Sequence, residues 1–295
     1  MRTTTWKDRL FSTFNYTLLS LLGFATLYPF VNLMAISLND ALDSLRGGIY
    51  FWPRKFTLLN YEIIFEQDSL LRAAIMSVVR TAVGTVLGVA VTIMIAFALS
   101  RREFLLRKPL NVILVFTLFV NAGLLPAYLL NVNLNLMNSF AVYILPMLVS
   151  AYNVIIVRSY FEQLPEGLTE SAKIDGATDF QVLLRIVAPV SLPVLATVTL
   201  FVAVVHWNSW YDNYLYTSGT PSLNLLQFEL MKILINTVNE VANSSGSSSN
   251  SNALNTNPDA IRAAMTIIVT LPILFVYPFL QKYFVKGIMV ASMKE

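Results

Sequence analysis

Long apolar runs without an acidic or basic side chain dominate the pattern of this chain. Residues 16–36, 81–100, 186–211 and 263–281 form four such runs. A fifth, residues 109–157, is too long for one bilayer crossing, which takes about 20 residues. Its middle, Asn131 to Asn138, alternates asparagine with apolar residues and reads as a tight turn. The pattern therefore predicts an all-α membrane protein with six spans, at about 14–36, 72–100, 109–130, 139–160, 186–211 and 262–282. An even number of crossings leaves both ends on one side. The first span contains Tyr28-Pro29 and is followed by no obvious small-residue cleavage site, so it is expected to remain as an anchor.

Composition agrees with this pattern. Hydrophobic residues make up 56% of the 295, and charged residues only 13%, where a soluble protein has about 25%. One histidine and no cysteine exclude a bis-His haem, a cysteine zinc site, a disulfide framework and a cysteine nucleophile. They also leave little from which to build a membrane-embedded enzyme. The spans contain no Asp or Glu, which argues against a stand-alone channel or secondary carrier coupled to protons or sodium. No GxxxxGK[ST] loop is present, so ATP hydrolysis is not expected on this chain.

The few charges are unevenly placed. With the N-terminus inside, thirteen of the 20 lysines and arginines fall on inner segments, among them Arg101, Arg102, Arg107, Lys108, Arg158, Lys173 and Arg185. The positive-inside rule then predicts cytoplasmic termini, with a short cytoplasmic segment at 1–13 and a membrane domain over 14–295. Between the spans, the outer loop from Ser37 to Ser69 carries Gly47-Gly48 and Trp52-Pro53 around aromatic, strand-like pieces. A second outer loop, 212–259, contains a Ser/Asn-rich tract expected to be a flexible insert at 243–257.

The inner loop 161–185 is the most informative segment. Pro165 and Thr169 are helix-start signals, Glu170 to Ala172 a short helix, and Gly176 a bend, with a second short turn beyond it. A bent helical knob under the bilayer is expected. The sequence Glu170-Ser171-Ala172, Gly176, Ile186 and Pro189 resembles, at matching spacings, the EAA loop of membrane subunits of bacterial ABC importers. Ser171 stands where that pattern has Ala, and Ala188 where it has Leu. Gly47 to Pro53, Leu271-Pro272 and Tyr277 to Phe284 extend the resemblance to carbohydrate permeases, the shorter subunit of a maltose-type pair of the LplC/YtcP-like kind.

The resemblance implies the type I ABC importer permease fold, six transmembrane helices with a cytoplasmic coupling helix. It implies import of oligosaccharides across the bacterial cytoplasmic membrane as half of a permease heterodimer. Its partners would be a second permease subunit, a cytoplasmic ATPase dimer and an extracellular solute-binding lipoprotein, besides membrane lipid; nucleic acid is not among them. ATP and Mg would sit on the ATPase, and this chain would bind no cofactor or metal. Glu170 would pair with a basic ATPase residue, beside Ser171. Ala172, Ile174 and Ala177 would fill the ATPase groove, Asp175 would hold the bend, and Gly176 would allow close backbone approach. The tail from Lys286 would reach toward the ATPase dimer interface.

At the outer end of the fifth span, Trp207, Trp210, Tyr211, Asp212 and Tyr214 read either as an interfacial aromatic belt or as a substrate path and binding-protein contact. His206 is expected to be an interfacial polar residue. Arg80 reads either as a functional charge within the membrane or, if the span begins near Thr81, as an arginine that snorkels to the outer interface, which is the expectation favoured. Asn121, Asn131 and Asn153 are expected either to line a polar path or to satisfy helix contacts.

Overall fold

A computed structural model describes residues 6–66, 68–243 and 258–292. The insert expected at 243–257, apart from Asn243, and residues 1–5 of the expected cytoplasmic segment lie outside the described residues, as do the last three of the tail. The described residues are helical, with a single isolated bridge between Asn39 and Phe56. The chain forms two compact units, one of residues 1–68 and 230–271, the other of residues 69–229 and 272–295.

In the first unit, α1 (Trp6–Ser37) is apolar nearly all round and almost wholly exposed, with Leu18, Leu21, Phe24 and Leu27 all turned outward. Such a surface suits hydrocarbon rather than water. The outer loop then folds as α2 (Ala41–Ser44) and α3 (Leu59–Phe65) rather than as the strand-like pieces expected there. Side-chain hydrogen bonds replace a strand ladder. Asn39 accepts from Lys55 N at 2.8 Å and donates to Asp43, Arg54 Nε donates to Asp43 at 2.9 Å, and Asn60 donates to the carbonyls of Ser37 and Asn39. The Asn39 hydrogen bond and Arg54 outweigh burial and hold the Asp43 carboxyl below the usual range.

The second unit opens with most of α4 (Asp68–Ser100), the longest apolar helix in it. The stretch expected as one helix over 109–130 is two, α5 (Arg107–Phe119) and α6 (Leu124–Asn133). Asn121 Oδ1 accepts from Gly123 N at 2.9 Å and closes a turn that competes with the helix. The Asn-rich turn beyond α6 places Asn135 and Asn138 in the left-handed region, which asparagine tolerates better than most residues.

The next expected span begins as two 3-10 turns, residues 140–147, and bends by 49° into α7 (Ala151–Phe161). The inner loop supplies α8 (Gly167–Ile174) and α9 (Asp179–Val182). A π turn at 183–187 leads into α10 (Ala188–Val190), which meets α11 (Leu192–Asn208) at a bend of 89° beside Pro189 and Pro193. Beyond it lie α12 (Leu226–Asn243) and α13 (Pro258–Ser292). Among the described residues three helices are long and apolar enough to cross a membrane, or five if each bent pair counts as one span.

The core of the second unit joins Ala96, Phe97 and Leu99 of α4 to Val154, Val157 and Phe161 of α7, Val182 to Val187, and Leu195 to Val202 of α11. This packing is what holds the inner loop in place.

Candidate functional site

The inner knob is built by local rules. Helix α8 starts from Glu166 rather than from Thr169. It ends in a Schellman arrangement: Ala177 N donates to Ala172 O at 2.9 Å and Gly176 N to Lys173 O at 3.0 Å. Gly176 has φ +82° with open space around it, so glycine is needed for the left-handed backbone and not for close approach within the chain. Thr178 and Gln181 then form a reciprocal capping box that starts α9.

Two side-chain roles come out differently from expectation. The Asp175 carboxylate has no partner among the described residues, and the bend is held by the backbone. Ala172 and Ala177 pack on this chain's own core, so they anchor the knob. Outward face Glu170, Ser171, Asp175 and Ile174, the last 86% exposed.

The knob is braced to the connection after α4. Arg101 packs its guanidinium 4.3 Å from the Phe97 ring centre and donates to Thr169 Oγ1 at 3.1 Å. Thr169 is 7% exposed and donates in turn to Glu166 O at 2.9 Å. Lys173 pairs with Asp179 at 3.2 Å and reaches Glu103 at 3.6 Å. Between these elements lies a cavity of about 350 Å3 whose lining includes Arg101, Arg102, Glu162, Glu166 and Glu170. Glu162 accepts from both Arg158 and Arg107; burial raises its pKa, but these two guanidiniums outweigh it and the net direction is down.

At the other end of α11 the expected cluster divides. Trp210, Tyr211 and Tyr214 form one aromatic group, with Tyr211 and Tyr214 stacked at 6.2 Å and exposed. Trp207 is buried elsewhere and lines a small cavity together with Thr81, Leu200 and Pro272. Asp212 turns inward to Arg80. Arg80 is wholly buried within α4, paired with Asp212, donating to Ser209 O at 3.1 Å and lying 4.7 Å from the Tyr143 ring centre. It does not snorkel, because Asp212 gives it a counter-charge in the interior. His206 is likewise buried rather than interfacial. Sequence reasoning missed the Arg80–Asp212 pair and the Arg101–Thr169 brace. The one available signal for the first was an arginine flanked by an apolar run that continues past it.

Apolar helices of spanning length, bent helix pairs and an exposed, braced helical knob define a multi-helix permease of the membrane. Residues 88–290 match the family model described as the binding-protein-dependent transport system inner membrane component, and the chain belongs to that family. It is 33% identical over 289 residues to the polygalacturonan/rhamnogalacturonan transport system permease protein YtcP of Bacillus subtilis (strain 168), covering 98% of this chain and 99% of that one. It is 35% identical over 286 residues to protein LplC of the same organism, covering 97% and 95%. Among solved structures it is similar to a chain of a bacterial ABC transporter involved in the import of the acidic polysaccharide alginate. That match has a TM-score of 0.86 at 25% identity and covers 96% of this chain and 100% of that one.

Proposed function

We propose that this chain is a permease subunit of an ATP-driven importer of oligosaccharides, working as half of a permease heterodimer with six crossings and both termini cytoplasmic. The observation that carries the reading is the exposed knob α8–Gly176–α9, held rigid by a Schellman bend, a capping box and the Arg101 brace. A rigid, outward-facing helix with Glu170 and Ile174 on its free face suits docking into a groove of a cytoplasmic ATPase. Glu170 supplies the charge for a basic partner, Ile174 the apolar plug, and Ser171 and Asp175 the polar rim. ATP and Mg belong to that ATPase, and this chain binds no cofactor. The substrate class rests on relatives such as the polygalacturonan/rhamnogalacturonan transport system permease protein of Bacillus subtilis. The exposed rings of Tyr211 and Tyr214, backed by the half-buried Trp210, suit contact with an extracellular solute-binding lipoprotein, since flat rings pack against sugar faces.

The test is a variant carrying Glu170→Ala and Gly176→Pro. Proline cannot adopt φ +82°, so the bend is lost along with the charge. The expected result is a permease pair that still assembles in the membrane but no longer co-purifies with its ATPase or takes up oligosaccharide. Intact ATPase binding and uptake would overturn the docking role.

A further inference from the structure

One face of α4 carries Arg80, Gly84, Gly88 and Thr92 at four-residue spacing, all buried. The missing side chains at the two glycines admit α11. A Cβ on Gly84 would stand 2.5 Å from His206 Nε2, and one on Gly88 would stand 3.3 Å from Val202 Cγ1. Beside the same stretch, the span expected at 139–160 is interrupted. Its helix bends by 49° before α7, which leaves Leu148 to Ser150 outside any helix. These elements line a half-open cavity of about 300 Å3, among whose lining residues are Thr92, Ser150, Asn153 and His206. That volume lies at the lower end of small-molecule sites, which run from about 300 to 1,000 Å3.

The polar groups there have hydrogen-bonding capacity to spare. His206 is 3% exposed, and its Nδ1 is buried without a hydrogen bond. Asn153 is 6% exposed, and its side-chain amide has no partner among the described residues. Ser150 Oγ accepts from Asn153 N at 3.4 Å, which leaves its hydroxyl proton free to donate outward. Within a bilayer, broken helix and unpartnered polar side chains persist where they line a water- or ligand-filled cavity. No charged side chain is in the lining. Arg80, one turn before Gly84 on α4, is already held by Asp212. The donors and acceptors are thus neutral and suit hydroxyls rather than a carboxylate.

We propose that this cavity is a carbohydrate subsite within this subunit, in which Thr92, Ser150, Asn153 and His206 hydrogen-bond the hydroxyls of one sugar residue in transit. The proposal rests on the oligosaccharide reading above and adds a place where this chain itself touches the substrate.

The chain has no cysteine, so a single introduced thiol reports on the cavity without background from this subunit. Asn153→Cys and Thr92→Cys would be made separately, in complexes whose other subunits are cysteine-free and whose assembly is checked by co-purification. Labelling by a small methanethiosulfonate reagent is expected, with protection by a transported oligosaccharide. In parallel, Asn153→Leu should raise the sugar concentration for half-maximal uptake about tenfold or more, the equivalent of one or two lost hydrogen bonds, while ATPase assembly is retained. A thiol that is never labelled would mean that the cavity is covered in the assembled complex, and one labelled without protection by sugar would mean that sugar does not occupy it; either result would overturn the subsite. Full uptake by Asn153→Leu would also overturn it alone. A wild-type complex that takes up no oligosaccharide would overturn the functional reading and the subsite with it.

Discussion

At the residue scale, the most consequential side chain is Arg80. A guanidinium surrounded by apolar helices costs several kcal/mol unless a counter-charge and further hydrogen bonds accompany it. Asp212 and Ser209 O supply these, and Tyr143 covers the guanidinium. Removing one partner leaves the other uncompensated. Arg80→Gln or Asp212→Asn should therefore destabilise the detergent-solubilised protein by about 3–5 kcal/mol. The paired replacement Arg80→Met with Asp212→Leu should cost clearly less. Thermal unfolding of the three variants checks this, and equal losses in all three would show that the charges do not act as a pair. Asp212 was legible in the sequence only as one member of an outer aromatic cluster. Its partner lies 132 positions away, and no local pattern joins them.

At the element scale, charged side chains tie the helices together beside the knob. Arg107 at the start of α5 and Arg158 on α7 converge on Glu162 at 2.7 and 2.9 Å. The folded carboxyl titrates below its unfolded value. Its contribution is thus fully present above the unfolded pKa and is lost as pH falls through the folded one. Stability measured from neutral pH down into the acid range should decline through that window, and Glu162→Gln should remove part of the decline. A variant with the same acid slope as wild type would assign the loss to other carboxylates.

The knob is the element the sequence described best. Gly176 and the run from Thr178 to Gln181 are local capping chemistry, which the chain writes out in order. The direction of its side chains was not legible. Ala172 and Ala177 face inward because Phe97, Val182 and their neighbours happen to lie there, and that is a tertiary fact. The breaks in the apolar runs were equally hidden, since a run without charges looks the same whether its helix is straight or bent.

At the scale of the whole molecule, apolar surface is left outward on purpose. The exposed faces of α1 and α5, with Phe24, Leu27, Val112 and Phe116, are what a chain surrounded by lipid requires. The Ser/Asn tract Asn243 to Asn252 has no composition with which to bury a core. Its deletion is expected to leave assembly and oligosaccharide uptake at wild-type levels. Uptake lost from a fully assembled complex would give the tract a role in transport.

By itself, the sequence determined the solvent this chain lives in, the helical class and the bent inner knob. Each follows from residue type and spacing along a few turns: charge-free length sets the spans, and glycine and capping residues set the knob. The tertiary structure alone decided that Arg80 is neutralised in the interior, that Arg101 braces the knob through Thr169, and that Thr92, Ser150, Asn153 and His206 share one cavity. These depend on segments far apart in sequence coming within a few ångströms, and at the cavity that approach is made where Gly84 and Gly88 carry no side chain.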